Sequence, residues 1–264
     1  MNDRYQDDVY PQKLVAFLDI LGFRGLVTQD PSLALRSISQ IDGHLTHVLS
    51  VLKETHGEAF STKLFSDCMC ISCDDTLENL FYIIFEVAFI QHLFSLDGIF
   101  IRGGVSRGNH FENDRVIFSH GLLNAYALEK AATFPRVLVD KVLIDAILRD
   151  DGTYSPHYTD FRTRDFVMQA PDGLQFVDYL HVLRLEGIDD VAELTQHRRA
   201  IESTVTRYPH DTKVMSKCRW LAEYHNTKLT EMFDPDDYDE AWSSQVIADV
   251  RIDIAGLFAQ FKKS

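Results

Sequence analysis

The sequence predicts an α+β sandwich, in which one mixed sheet packs against helices and a helical extension follows. Two observations favour this class. Short β-rich apolar runs alternate with longer helical patterns through the first 185 residues, and from about residue 189 onward the pattern is helical. We therefore expect a main domain at 1–185 and a C-terminal helical extension at 186–264 that packs on it.

The predicted elements follow one another with short connections. KLVAFLDI at 13–20 is nearly continuous in apolar residues, as a buried central strand is. Asp30-Pro31 is typical of a helix start, and this helix should run to Gly57. Two short strands then flank Asp67. Further on we expect a buried helix, a strand, a short strand leading into a helix, another strand and a late hairpin, at 76–96, 99–111, 116–132, 135–140 and 165–183.

Composition and charge restrict the class of partner. The formal net charge of -14 argues against binding along a nucleic acid or an anionic membrane, although divalent metals could still recruit a small anionic substrate. The first residues lack the basic start and apolar core of a signal peptide. The apolar stretch at 80–94 is too short to span a bilayer. We predict a cytoplasmic protein whose four cysteines are free thiols.

Two aspartates interrupt apolar strands. Asp19 stands near the end of FLDILGF at 17–23, and Asp67 lies between the two short strands. Each alone is a common turn or capping residue, but burying unpaired carboxylates is costly, so for the pair a two-metal site and a structural role are both open. Mg²⁺ and Mn²⁺ prefer such oxygen ligands, and the carbonyl of Ile20 could add another. The turn at Gly22 would leave backbone N–H groups free for phosphate oxygens.

These residues resemble a known family. FLDILGF is similar to the first metal-binding motif of the class III nucleotidyl cyclases, and KLFSD at 63–67 resembles the second. IRGGVSRGNHF at 101–111 resembles the next core strand, and GLLNAYALEKAA at 121–132 resembles the helix that carries a transition-state asparagine. The resemblance covers about 13–140 and implies a ferredoxin-like sandwich with a mixed sheet.

Two positions depart from the family's pattern. Leu128 stands where the family has an arginine, so that Lys130, Arg107 or Arg115 would have to supply the charge. Ile117 stands where the family has a purine-selecting aspartate. With the short chain and the CRWLAEYHN segment at 218–226, these departures most resemble the bacterial pyrimidine cyclases of the Pycsar antiphage system.

The resemblance implies cyclisation of a ribonucleoside triphosphate with two Mn²⁺ or Mg²⁺ ions per active site. Asp19 and Asp67 would hold both ions, and the Ile20 carbonyl would hold one. Backbone amides near Gly22 and Phe23 would bind the phosphates. The family also implies a homodimer with shared active sites, and a cyclic UMP or cyclic CMP product that a separate effector protein detects.

The remaining roles are distributed over three residues. Asn124 would orient the ribose or stabilise developing charge, and Lys130 would supply positive charge. Lys63 could read the base, and a lysine donor suits a uracil oxygen slightly better than a cytosine amino group, which favours UTP. The alternative is that Lys63 is simply a lysine that faces solvent on a strand, since the sequence would look the same.

Several alternatives stay open at this stage. A diguanylate-cyclase-like enzyme is disfavoured because FSDCM at 65–69 lacks that family's GG(D/E)EF signature. A non-catalytic nucleotide sensor is compatible with the missing arginine, and a purely structural interaction protein would show no metal-dependent nucleotide binding. We expect Arg102 to be an ion-pair anchor, and three histidines to be structural: His110, His120 and His225.

Overall fold

The computed structural model describes residues 10–23, 31–56, 60–150, 160–234 and 236–259. Within these residues, eight strands form one sheet. The strands are β1 (Gln12–Ile20), β2 (Phe60–Phe65), β3 (Cys68–Asp74), β4 (Ile101–Glu112), β5 (Ile117–Ser119), β6 (Val137–Val139), β7 (Val167–Gln169) and β8 (Gln175–Val177). The helices are α1 (Pro31–His56), α2 (Leu77–Leu96), α3 (His120–Ala131), α4 (Lys141–Arg149), α5 (Asp190–Arg207), α6 (Thr212–Met232), α7 (Glu240–Val250) and α8 (Ile254–Ala259).

The sheet is mixed, as the sequence predicted. Its strand order is β2-β3-β1-β4-β6-β8-β7, and β5 pairs with β4. β1 runs antiparallel to both β3 and β4, whereas β4 and β6 are parallel. The first six elements, β1-α1-β2-β3-α2-β4, give the spatial order β2-β3-β1-β4 of a ferredoxin-like split βαβ unit. This confirms the predicted fold class.

The two faces of the sheet are covered by different helices. Leu14, Ala16 and Leu18 alternate along β1 and belong to the core that includes α2. The alternating residues of β1 point to the other face, where α3 packs closely. Gly104 of β4 permits that approach, since a Cβ there would lie 2.4 Å from the carbonyl oxygen of Ala125.

Helix α2 is the central core helix. It is apolar on every side, and its first turn is capped by Thr76, whose side-chain oxygen accepts from the Asn79 N–H at 3.0 Å. Among the described residues it is the one helix long and apolar enough to cross a membrane, but 78% of its most apolar window is buried inside the protein. Such burial is what the core helix of a soluble domain shows.

The C-terminal helices are attached to the sheet domain through a buried polar cluster. The hydroxyl of Tyr224, on α6, accepts from the Leu180 N–H at 2.9 Å and donates to Oδ1 of Asp178 at 2.5 Å. Nζ of Lys228 lies 2.7 Å from Oδ2 of Asp178. Because a buried charge is costly without a partner, these contacts fix how α6 lies against the domain.

Three local expectations differ from the structure. The second strand of the late hairpin ends at Val177, and Tyr179–Arg184 forms a 3-10 helix. Tyr179, Leu180, Val182 and Leu183 are all buried, whereas a strand would send alternate side chains to opposite faces. Helix α4 was not predicted. The helical pattern after Pro31 predicts an apolar stripe on α1 that includes Leu35, but this side chain is 67% exposed. Asp30 and Gly57 lie outside the described residues.

Candidate metal and nucleotide site

The end of β1 and the tip of the β2–β3 hairpin meet at one point. Asp19 pairs with Cys68 on one side and with Arg102 on the other. The Ile20 N–H donates to the backbone carbonyl of Asp67 at 3.0 Å, which holds the hairpin tip against β1. The tight turn requires a positive φ of 59° at Ser66. The sequence predicted Asp19 near the end of a strand and Asp67 between two short strands, as the structure has them.

Two carboxylates and a thiol converge at this point. Ligand atoms of Asp19, Asp67 and Cys68 all lie within 4.8 Å of one another, and the three residues are half-buried. Paired carboxylate oxygens that remain accessible to solvent suit Mg²⁺ or Mn²⁺. Burial, together with the neighbouring Asp19 and Asp67 carboxylates, raises the pKa of the Cys68 thiol to about 12, so the thiol is neutral at pH 7. The donor set therefore fits a hard divalent cation.

Arg102 connects the aspartate of β1 to helix α3. Its Nη2 atom lies 3.2 Å from Oδ2 of Asp19 and 2.5 Å from Oε1 of Glu129. Glu129 is almost completely buried. These contacts agree with the predicted role of Arg102 as an ion-pair anchor. They also hold one carboxylate oxygen of Asp19 in place beside the candidate metal site.

The residues predicted to bind the nucleotide lie on the turn after β1 and on the β2–β3 hairpin, the two elements that carry the aspartates. Gly22 has φ +78°, so the chain turns sharply after β1, and the Leu21 N–H donates to the Phe100 carbonyl at 2.9 Å. Phe23 is half-buried after this turn. Lys63 pairs with Cys70, which pairs with Phe17, so strand alternation places Lys63 on the same face of the sheet as Asp19.

The predicted transition-state asparagine of α3 lies in a groove apart from the two aspartates. Asn124 is exposed, and its Nδ2 atom donates to the Arg107 carbonyl at 3.3 Å. With Leu128 it lines a groove of about 820 Å³ between α3, α4 and the β7–β8 turn. Neither Asp19 nor Asp67 lines this groove. Within one chain, Asn124 therefore belongs to a different surface from the two aspartates.

The candidate replacements for the missing arginine are engaged or exposed. Arg107 is held by Asp75, at 2.7 Å from Nε to Oδ2. Arg115 is exposed between β4 and β5. Lys130 lies 4.8 Å above the Tyr126 ring and 3.5 Å from Glu129, and the Tyr126 hydroxyl followed by the Glu129 charge raises its pKa.

Two of the three histidines that were predicted to be structural are buried and in contact with other side chains. His110 is buried, with Nδ1 2.8 Å from the Ser119 hydroxyl. His225 lies in the C-terminal bundle, where its Nδ1 is 3.0 Å from Nδ1 of His197, and burial lowers its pKa to about 4. His120 is exposed at the start of α3.

Two residues beside the site were not predicted. Glu129 could have been suspected as an acidic residue in an otherwise apolar and small-residue helix face. Lys217, on α6, lines a cavity together with Ile20 and Gly22. Nothing in the local sequence indicates this, since Lys217 and Ile20 are far apart along the chain.

Comparisons with known proteins give structural neighbours of low sequence identity. No protein-family model and no curated protein matches the sequence. A class III adenylyl cyclase-like ATP-binding protein from Pseudomonas aeruginosa aligns over 52% of this chain and 34% of its own, with 9% identity and a TM-score of 0.37. A bacterial light-regulated adenylyl cyclase aligns over 72% of this chain and 57% of its own, with 11% identity and a TM-score of 0.41. The chain thus spans about a third and just over half of these proteins, and at this similarity neither assigns an activity.

Proposed function

We propose that this protein is a nucleotidyl cyclase that converts UTP to 3′,5′-cyclic UMP and pyrophosphate. The observation that carries the proposal is the convergence of Asp19 and Asp67, from a strand end and a hairpin tip, within 4.8 Å. The resemblance of FLDILGF and KLFSD to cyclase metal motifs supports the same assignment. The product would be a cytoplasmic second messenger in antiphage defence, read by a separate effector protein.

The reaction is an in-line displacement at the α-phosphorus. A bond forms between the ribose 3′-oxygen and the α-phosphorus while the bond to the bridging oxygen of the β-phosphate breaks, and the hydroxyl proton passes to water. Two Mn²⁺ or Mg²⁺ ions, when bound, would acidify the 3′-hydroxyl and neutralise the leaving pyrophosphate. Asp19, Asp67 and the Ile20 carbonyl would hold them. Arg102 would keep the Asp19 carboxylate oriented.

A homodimer explains why Asn124 and the aspartates lie on different surfaces. Asn124 would reach the ribose of a nucleotide held by the aspartates of a second copy. The α3 surface is suited to such a contact, because Leu123 is 63% exposed and Tyr126 is 44% exposed beside it. Phe118 of the adjoining β5, which is 71% exposed, extends the apolar surface. Each active site would then be shared by two chains.

The choice of UTP rests on the base-reading positions. Ile117 offers no carboxylate for a purine, and Lys63 on the face of Asp19 can donate to a uracil oxygen. CTP, which presents an amino donor at the same ring position, is the alternative substrate. Lys130 would contribute positive charge near the phosphates, in place of the arginine that Leu128 replaces.

A product assay tests this function. Purified protein would be incubated with ATP, GTP, CTP or UTP and Mn²⁺, and cyclic nucleotide would be measured by mass spectrometry. We expect cyclic UMP from wild type and a loss of at least about 1,000-fold in Asp19→Asn and Asp67→Asn. Asp74→Asn is the matched control, because Asp74 lies at the other end of β3. A cyclic purine as the main product would contradict the pyrimidine assignment.

A non-catalytic nucleotide sensor is the second candidate. Leu128 favours it, since this side chain packs against Gly104 and offers no charge to a transition state. A sensor would bind UTP in the presence of Mn²⁺ and form no cyclic product with any of the four nucleotides. Calorimetric titration with UTP, run alongside the product assay, separates the two candidates.

A further inference from the structure

A second feature of the site is a cavity that begins where β1 ends. It has a volume of about 940 Å³ and is bounded by Ile20, Leu21 and Gly22 on one side. Its other walls come from α1 and from the connection between α5 and α6. The cavity therefore lies between the end of β1, which carries Asp19, and the C-terminal helical region. The proposed cyclase mechanism assigns no role to that region.

The charged residues that line this cavity are not equivalent. Its acidic residues are engaged: Asp97 lies 2.6 Å from Nε2 of His44, and Asp211 caps α6 by accepting from the Lys213 N–H at 2.9 Å. Its basic residues are Arg36, Arg207 and Lys217. None of the three forms a hydrogen bond or ion pair with another residue among those the structure describes. Among the described residues, the cavity thus offers three cationic groups that form no ion pair.

Lys217 is the most informative of these cations. Its side chain is half-buried, and burial lowers its pKa, with the nearby positive charge of Arg102 acting in the same direction. The charges of Asp19 and Asp211 act in the opposite direction and raise this pKa, so the ammonium interacts electrostatically with a carboxylate of the candidate metal site. Both carboxylates act on Lys217 without forming an ion pair with it, and a half-buried ammonium that lacks an ion pair is an unfavourable arrangement. Binding of an anion would relieve it.

We propose that Lys217, from the C-terminal helical region, is a charged ligand of the polyphosphate chain of the nucleotide, which would occupy a subsite in this cavity, beside the turn that the family resemblance already assigns to the phosphates. The inference rests on the proposed function and deepens it, because it gives the C-terminal helices a part in substrate binding. An anion placed here would lie against the turn that begins at Ile20, directly after Asp19 in the chain, although Asp19 and Asp67 do not themselves line the cavity. The leaving pyrophosphate of the cyclisation carries the charge that such a cationic cavity would bind.

The arrangement predicts what Lys217 contributes. A charge-assisted hydrogen bond from an ammonium to a phosphate oxygen would hold the β- and γ-phosphates while the α-phosphorus reacts. Arg36 and Arg207, which are exposed at the rim, would attract the anion and contribute less. Truncating the α6 helix would therefore remove a nucleotide ligand, in addition to any effect on stability.

Calorimetric titration with inorganic pyrophosphate and excess Mg²⁺ tests the subsite directly, on the full chain. We expect wild type to bind and Lys217→Met to bind at least about tenfold more weakly. Lys217→Arg, which keeps the charge, should recover most of the affinity. Lys213→Met is the matched control, because Lys213 is exposed on the same helix and does not line the cavity; it should change the affinity less than about twofold.

The outcomes separate this inference from the proposed function. Pyrophosphate binding that is absent in wild type, or equal in wild type and Lys217→Met, would overturn the subsite even if cyclic UMP is formed. Binding that depends on Lys217, with no cyclic product from any nucleotide, would keep the subsite and refute the cyclase. Circular dichroism of Lys217→Met at the titration temperature establishes that the variant is folded.

Discussion

Nη2 of Arg102 lies 3.2 Å from Oδ2 of Asp19, so the carboxylate that we propose as a metal ligand is already in contact with a guanidinium. The same nitrogen lies 2.5 Å from Oε1 of Glu129, a residue that is only 1% exposed. Glu129 therefore shares the positive charge of Arg102 with Asp19. The affinity of Asp19 for a divalent cation should therefore depend on how the charge of Arg102 is shared between the two carboxylates.

Glu129→Gln tests this relationship. Without the Glu129 charge, Arg102 should pair more strongly with Asp19 and compete with the metal. We expect the affinity for Mn²⁺, measured by electron paramagnetic resonance of the free ion, to fall by about tenfold or more. Glu78→Gln, which removes an exposed carboxylate from α2, serves as the control. An unchanged Mn²⁺ affinity in Glu129→Gln would show that Arg102 does not compete at this site.

The proposed sharing of each active site between two chains predicts complementation. Asp19→Asn and Asn124→Ala should each be inactive or nearly so as homodimers. Mixing them in equal amounts, with subunit exchange, should restore about a quarter of wild-type cyclase activity, because half of the dimers are mixed and each of these has one intact site. Activity of the mixture that equals the sum of the separate variants would instead place Asn124 and Asp19 in the same chain's site.

Close packing of α3 on the sheet predicts a difference between two glycines. A Cβ at Gly104 would lie 2.4 Å from the Ala125 carbonyl oxygen and 2.5 Å from Cβ of Leu128. Gly104→Ala should therefore lower the free energy of unfolding by about 1–3 kcal/mol. Gly43, on α1, has no atom within 4 Å of its added Cβ, so Gly43→Ala should raise that free energy by about 1 kcal/mol. Urea denaturation measures both.

Glu86 predicts a pH dependence of stability. Burial within α2 raises its pKa from 4.5 to about 8, so the folded state holds the proton more tightly than the unfolded chain. Its contribution to stability is complete below pH 4.5 and is lost as the pH rises to about 8, with a slope of about 1.4 kcal/mol per pH unit.

Glu86→Gln should remove this dependence. The stability of the variant relative to wild type should rise between pH 5 and pH 8, because glutamine has no proton to lose. Urea denaturation of both proteins at several pH values in that range provides the measurement. A stability difference that stays constant with pH would mean that Glu86 is ionised in the folded protein throughout.

Most elements of the fold could be predicted because each of them has a local cause, whereas helix α4 was missed. The apolar run of β1 and the Thr76 cap of α2 are visible as patterns in the sequence. The late hairpin was only partly predicted, because the apolar segment Tyr179–Arg184 has the composition of a strand, and only its burial on several sides distinguishes a 3-10 helix. Local propensity cannot show from which directions a segment will be covered.

The sequence by itself determined the positions of Asp19 and Asp67, because a carboxylate that interrupts an apolar strand is visible without any tertiary contact. Only the tertiary structure decided which residues surround them. Arg102 reaches Asp19 through strand pairing, Glu129 reaches Arg102 because α3 crosses the sheet, and Lys217 approaches from a helix that begins at Thr212. Such contacts depend on how the layers pack, and residue spacing along the chain carries no record of that packing.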